Sequence, residues 1–131
     1  MPAPVTACVL DTSAVLALLH EEPGHEVVGE IMGGAAISAV NLAEIVAKMR
    51  DRGLEVDRLL AAIRESLVDV VAFDAAMAIE AGILAAAGRR AGISLGDACC
   101  IALAKALAAP VYTADRAWAA LDLGVEVRLI R

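Results

Sequence analysis

Aromatic side chains are almost missing from this chain of 131 residues, which has one Phe, one Tyr and one Trp. Yet 60% of the residues are hydrophobic. Ala, Val, Leu and Ile must therefore fill the interior, and their small size lets helices pack closely on a sheet. Long apolar runs are missing as well. The longest stretch without Asp, Glu, Lys or Arg is Ile31 to Ala43, 13 residues, short of the about 20 that a bilayer span needs. No basic region followed by an apolar core opens the sequence, so no signal peptide and no membrane partner are expected, and the expected location is the cytoplasm. Only three cysteines are present, Cys8, Cys99 and Cys100. Their odd number and apolar settings predict reduced, buried thiols, and the ligand spacing of a zinc site is lacking. Excess positive charge is lacking too. The net charge is −6, which argues against bulk non-specific binding to nucleic acid. It leaves room for an enzyme that meets nucleic acid through a small, metal-neutralised site, and it suits a basic partner.

What is present reads as one domain over residues 1–131, large enough for a real core. Val5 to Leu10 is a short apolar run with β-branched members, the pattern of a buried strand. Asp11-Thr12-Ser13 supplies cap chemistry for a helix over 14–19. Further helices are predicted at 25–32, 40–52, 56–66, 74–91 and 94–107, and a last one at 115–121. Strands are predicted at 35–38, 68–73, 110–113 and 125–130. The helices end at Gly33-Gly34, Gly53, Gly92 and Gly124. No internal repeat and no low-complexity linker interrupts the pattern. Strands alternate with helices and tight hairpin signals such as Asn-Gly are absent. The predicted class is therefore α/β, with a short, mainly parallel sheet flanked by helices on both faces.

Of the eight Asp and nine Glu, four stand out. Asp11 follows the first strand, where open α/β sheets place their ligands; its plainer role is an N-cap. Glu44 lies in the apolar stretch Val40-Asn41-Leu42-Ala43-Glu44-Ile45, where a carboxylate needs compensation; an ion pair with Lys48 one turn on would supply it. Asp97 in Ser94-Leu95-Gly96-Asp97 fits a capping box, although Gly96 weakens the helix and suggests close approach to its backbone. Asp115 follows Thr113 at the end of the fourth strand and could also be an N-cap. In a parallel sheet all strand-to-helix turns share one edge. Carboxylates gathered there would raise each other's pKa, and a hard divalent cation such as Mg²⁺ would relieve them while binding one or two directly. Helix N-termini at the same edge suit a phosphate, and such a site can activate water against a phosphodiester.

The ordered set Asp11-Thr12-Ser13-Ala14, Ser38-Ala39-Val40-Asn41-Leu42-Ala43-Glu44, Ser94-Leu95-Gly96-Asp97-Ala98 and Thr113-Ala114-Asp115-Arg116 resembles the PIN-domain pattern. Length, motif order and the short C-terminal strand are similar to VapC-type toxins of bacterial toxin–antitoxin pairs. The resemblance implies a three-layer PIN-like fold and a Mg²⁺- or Mn²⁺-dependent endoribonuclease acting on RNA. Carried over, Asp11 and Asp97 would be the metal ligands, Glu44 and Asp115 would position the ion's waters, and Thr113 would hydrogen-bond in the same cluster. It also implies a homodimer, and a small antitoxin that lies along a hydrophobic groove and points a basic side chain at the acidic site. A PIN nuclease of RNA processing outside such a pair, and a catalytically inert binding module, are the alternatives. A receiver domain would need paired acids after the first strand and a Lys after the last, whereas Lys105 falls mid-helix. A haloacid-dehalogenase-like phosphatase would need Asp-x-Asp where the chain has Asp11-Thr12-Ser13.

Other residues read as ordinary. His20 and His25 fall around a polar loop expected to be solvated. Lys48, Arg50, Arg52, Arg89 and Arg90 suit solvated helix ends. Arg116 reads as a surface ion pair, with RNA contact as the sharper option. Trp118 is expected in the core rather than stacked on a base, and Leu16, Leu19, Ile31 and Leu60 are expected in the core, with lining of a partner groove as the alternative for some of them.

Overall fold

The computed structural model describes residues 6–131. Five strands form one sheet: β1 (Cys8–Leu10), β2 (Ala35–Ser38), β3 (Asp69–Val71), β4 (Val111–Thr113) and β5 (Val127–Leu129). The order across the sheet is β3-β2-β1-β4-β5 and every pairing is parallel. Val9 pairs with Ala36 on one side and Val111 on the other, so β1 is the central strand. Six helices connect them: α1 (Thr12–Leu19), α2 (His25–Ile31), α3 (Ala39–Asp51), α4 (Asp57–Ser66), α5 (Ala75–Gly88) and α6 (Leu95–Leu107). Side chains alternate along a strand, and this splits the core. Cys8, Leu10 and Ile37 pack with Val15, Leu19, Val28, Ile45, Met49 and Leu59 on one face. Val9, Ala36 and Val111 pack with Ile101, Leu103 and Trp118 on the other. The result is the expected helix–sheet–helix arrangement. No helix of the described residues is long and apolar enough to cross a membrane.

Helix starts follow the cap chemistry. Asp11, Ser38, Asp74 and Ser94 are N-caps whose side chains accept backbone N–H groups of the first turn. Gly24 opens α2 with φ +94°, and a Cβ there would meet the backbone carbonyl of Ile130. Only glycine therefore lets the chain's end lie against this turn. Helix α6 is buried along Ala98, Cys99, Cys100, Ile101, Ala102, Leu103 and Ala104, and small residues let α5 lie along it.

Several boundaries differ from those read off the sequence. The first strand begins at Cys8 rather than Val5, which lies outside the described residues. The strands expected at 68–73 and 125–130 shrink to three residues each, because each edge strand has one partner and matches its short length. The helix expected over 74–91 stops at Gly88, and a 3-10 turn over Arg89–Ala91 leads to Gly92 in the left-handed region. Helix α2 similarly passes into a 3-10 turn, Met32–Gly34. The last predicted helix is a 3-10 segment, Arg116–Ala120. Its only buried side chain is Trp118, too narrow a contact to support a full α-helix. Leu60 is 45% exposed; Leu59 takes the core position instead. The three thiols are free and buried, as expected.

Trp118 anchors this last segment, so Trp118→Ala is expected to cost about 3–5 kcal/mol of unfolding free energy. Leu60→Ala should stay within about 0.5 kcal/mol. Urea denaturation of both variants checks the contrast.

Candidate active site

Strand order reverses between β1 and β4, and open α/β sheets form their ligand crevice at the carboxyl ends of strands at such a point. Asp11 follows β1 and Thr113 ends β4, so the two face each other across it. Asp11 is only 5% exposed. Thr113 is fully buried and donates its hydroxyl to Asp11 Oδ2 at 2.6 Å. Ser13 Oγ lies 2.7 and 2.9 Å from the two oxygens, and the Ala14 N–H donates to Oδ1 at 2.9 Å. Ser13 Oγ in turn accepts the Ala114 N–H at 2.9 Å, and Thr113 Oγ1 accepts that of Asp115 at 3.0 Å. Two turns from opposite ends of the sequence are thus stitched around one carboxylate.

Glu44 projects from α3. Its Oε1 accepts from Thr12 Oγ1 at 2.9 Å and from Asn41 Nδ2 at 2.8 Å. Its compensation is therefore these two neutral donors. Among the described residues no ion pair joins it to Lys48, which is exposed. Asp97 sits in a complete capping box: its Oδ2 accepts the Ser94 N–H at 2.9 Å, and Ser94 Oγ accepts the Asp97 N–H at 3.1 Å. Asp115 is exposed and caps the 3-10 segment by accepting the Ala117 N–H at 3.0 Å. The plain capping roles of Asp11, Asp97 and Asp115 are all realised, and they do not compete with a shared site.

The acids lie near enough to feel one another's charge. Burial raises the Asp11 carboxyl above its ordinary value, against the lowering effect of Thr113, Ser13 and the Ala14 N–H, and the Asp97 charge raises it further. Burial likewise raises Asp97, with the charges of Asp115 and Glu44 adding to it. Asp97 is therefore linked to the other three: its charge raises Asp11, and the charges of Asp115 and Glu44 raise it. Beneath them Cys100 is fully buried; burial first, then the Asp11, Asp97 and Glu44 charges, push its thiol far up and keep it neutral.

Three supporting residues were not singled out in the sequence: Thr12, Ser13 and above all Asn41, which is 1% exposed. The available signal was spacing, since Asn41 and Glu44 are three residues apart and share a helix face. Other expectations need correction. Arg116 is exposed but forms no ion pair among the described residues. His20 is not simply solvated; its Nε2 is buried without a partner among the described residues. Trp118 is core, as expected.

The PIN-domain family model matches residues 8–123. This chain belongs to the PIN-domain family. No curated protein matches the sequence. The structure is similar to DNA-bound VapBC from Salmonella typhimurium at TM-score 0.72, with 20% identity over 97% of this chain and 100% of that one. A toxin–antitoxin complex from Klebsiella pneumoniae matches at TM-score 0.72, with 16% identity over 95% of this chain and 98% of that one. VapBC-5 from Mycobacterium tuberculosis, of the VapBC family of toxin–antitoxin systems, is 27% identical at TM-score 0.58, over 96% and 98% of the two chains.

A carboxyl raised in the folded state binds its proton more tightly there than in the unfolded chain, so stability falls as pH climbs from the ordinary Asp value of about 4. The metal-free protein is expected to lose melting temperature between pH 4 and pH 7. Asp11→Asn should flatten that slope, which thermal unfolding across a pH series measures.

Proposed function

We propose that this chain is a Mg²⁺- or Mn²⁺-dependent endoribonuclease and the toxin of a toxin–antitoxin pair. The observation that carries the reading is the meeting of Asp11, Glu44, Asp97 and Asp115 with Thr113 at the switch point of a PIN fold. The donor set is entirely oxygen and suits a hard cation. Among the described residues no three His, Cys, Asp or Glu side chains close on a single ion. Mg²⁺ needs only one or two direct carboxylates and otherwise keeps water. Asp11 and Asp97 would be those two. When bound, the cation supplies an activated water and neutralises charge developing on a phosphodiester.

The chain's own residues do the rest. Thr113, Ser13 and the Ala14 N–H fix Asp11 in one orientation. The Ser94 N–H occupies Oδ2 of Asp97 and leaves Oδ1 for a ligand. Glu44 and Asp115 are the acceptors available to orient a water or take its proton. The first turn of α6 presents backbone N–H groups at the same edge, a favourable setting for a phosphate. Exposed Arg116, next to Asp115, is free to meet another phosphate. Single-stranded or loop RNA is the substrate class, because unstacked nucleotides can enter an acidic crevice that a duplex cannot.

Cleavage of cellular RNA by the purified protein tests this. We expect it to require Mg²⁺ or Mn²⁺ and to stop with chelator. Asp97→Asn should cut the rate by about 100-fold or more, at least the upper end of what supporting residues of metal sites cost. Mg²⁺ should raise the melting temperature of the native protein but not that of Asp97→Asn. Undiminished cleavage by Asp97→Asn overturns the assignment.

Two partners belong to this reading. The solved relatives named as toxin–antitoxin systems support a small antitoxin. A groove of about 220 Å³ lined by Leu19, Met49 and Leu54 together with His20, Glu55, Asp57 and Arg58 suits an amphipathic segment of it, and the acidic site suits a basic side chain. The second partner is another copy of the chain. Over Ala75–Gly88 the only charged residue is Glu80, which pairs with Lys105. Ile79 and Ile83 stand 68% and 61% exposed on this helix, an apolar face of the kind that marks an interface. Sedimentation at micromolar concentration should give a dimer that becomes a monomer in Ile79→Glu/Ile83→Glu.

A further inference from the structure

Glu44 is held from two directions. Asn41, one turn before it on α3, brings Nδ2 within 2.8 Å of Glu44 Oε1, 3.2 Å of the Gly96 carbonyl and 3.3 Å of Thr12 Oγ1. Asn41 is buried at the meeting of α1, α3 and α6, and its Oδ1 has no partner among the described residues. From the other side, the Glu44 carboxyl lies against the backbone of Gly96, the second residue of α6. A Cβ built on Gly96 would overlap all three atoms of that carboxyl. Gly96 has no positive φ, so its backbone conformation would admit alanine; the obstacle is the Glu44 carboxyl, which would have to leave the place where Asn41 and Thr12 hold it. Helix propensity argues against glycine there, and its presence makes sense if the room belongs to Glu44.

We propose that Asn41 and Gly96 are positioning residues for Glu44. Asn41 and Thr12 saturate Oε1, Gly96 leaves room for the carboxyl beside the start of α6, and Oε2 is left without a protein donor. An aspartate at 41 would have the same shape but no N–H to give, and would set a second carboxylate against Glu44. Because the Gly96 carbonyl is itself tied to Asn41, the contact that places Glu44 also sets the distance between α3 and the turn that carries Asp97. As to catalysis, the inference rests on the nuclease reading; the contact itself does not.

The test is a two-by-two cycle of Gly96→Ala and Glu44→Ala, read by thermal unfolding and by RNA cleavage. In the native background Gly96→Ala should lower the melting temperature. In the Glu44→Ala background the same change should raise it, because the obstruction is gone and alanine is the better helix former. A Gly96→Ala protein that folds only when Glu44 is also removed gives the same result in stronger form. On cleavage, Gly96→Ala and Asn41→Ala should each lower kcat about 10- to 100-fold, leave KM for RNA within about twofold, and add nothing further to Glu44→Ala. Equal melting losses in both backgrounds, or a double variant that does not fold, overturns the proposal. So do rate effects that simply multiply. If the native protein cuts no RNA, the nuclease reading fails, and the sign of the melting shift still decides whether Gly96 makes room for Glu44.

Discussion

Carboxylates repel one another, and burial makes each charge more costly. The neighbourhood of β1 and β4 is arranged around that constraint. Asp11 is nearly enclosed, so Thr113, Ser13 and the Ala14 N–H all turn toward it. Those donors come from both ends of the chain, and the same contacts that quiet the charge hold β1 beside β4. Glu44 receives neutral donors rather than a cation, which keeps the net charge of the crevice negative. The stabilisation is incomplete, since burial still raises Asp11 and Asp97. A site left in that condition is short of positive charge, and this ties the local structure to the proposed chemistry.

Capping and chemistry share the same atoms here. Asp11 and Asp115 are N-caps and Asp97 completes the capping box of Ser94, yet each of these roles uses only part of a carboxylate's accepting capacity. Asp97 accepts the Ser94 N–H with one oxygen and leaves the other for the crevice. This explains how a sequence can look locally ordinary at each of these positions while the ensemble does something none of the caps needs.

The alternation of strands and helices, the parallel sheet and the four acids were legible because each rests on a local signal. Those signals are a β-branched run, a Gly stop, or an Asp where a strand hands over to a helix. The supporting contacts were less legible because they are made across the fold. Asn41 looks like one polar residue in an apolar helix until α1 and α6 close over it. Gly96 gave a usable hint, that something approaches its backbone, without naming Glu44. The pairing of Glu44 with Lys48 follows helix spacing, but that rule loses to a buried network with better-aimed donors. Hydrophobic runs extend past the three or four residues that find strand partners, and helix α4 turns Leu59 rather than Leu60 inward.

Helix α6 begins with Asp97 almost at once and then runs buried through Ala104. The helix passes from the acidic edge directly into seven consecutive buried residues. The helix therefore acts as a stiff lever whose short arm is the site. Ile101 and Leu103 are enclosed, so an extra methylene forced in beside either strains the same helix that carries Asp97. In this protein the shape of the interior and the registry of the charged edge are a single mechanical variable.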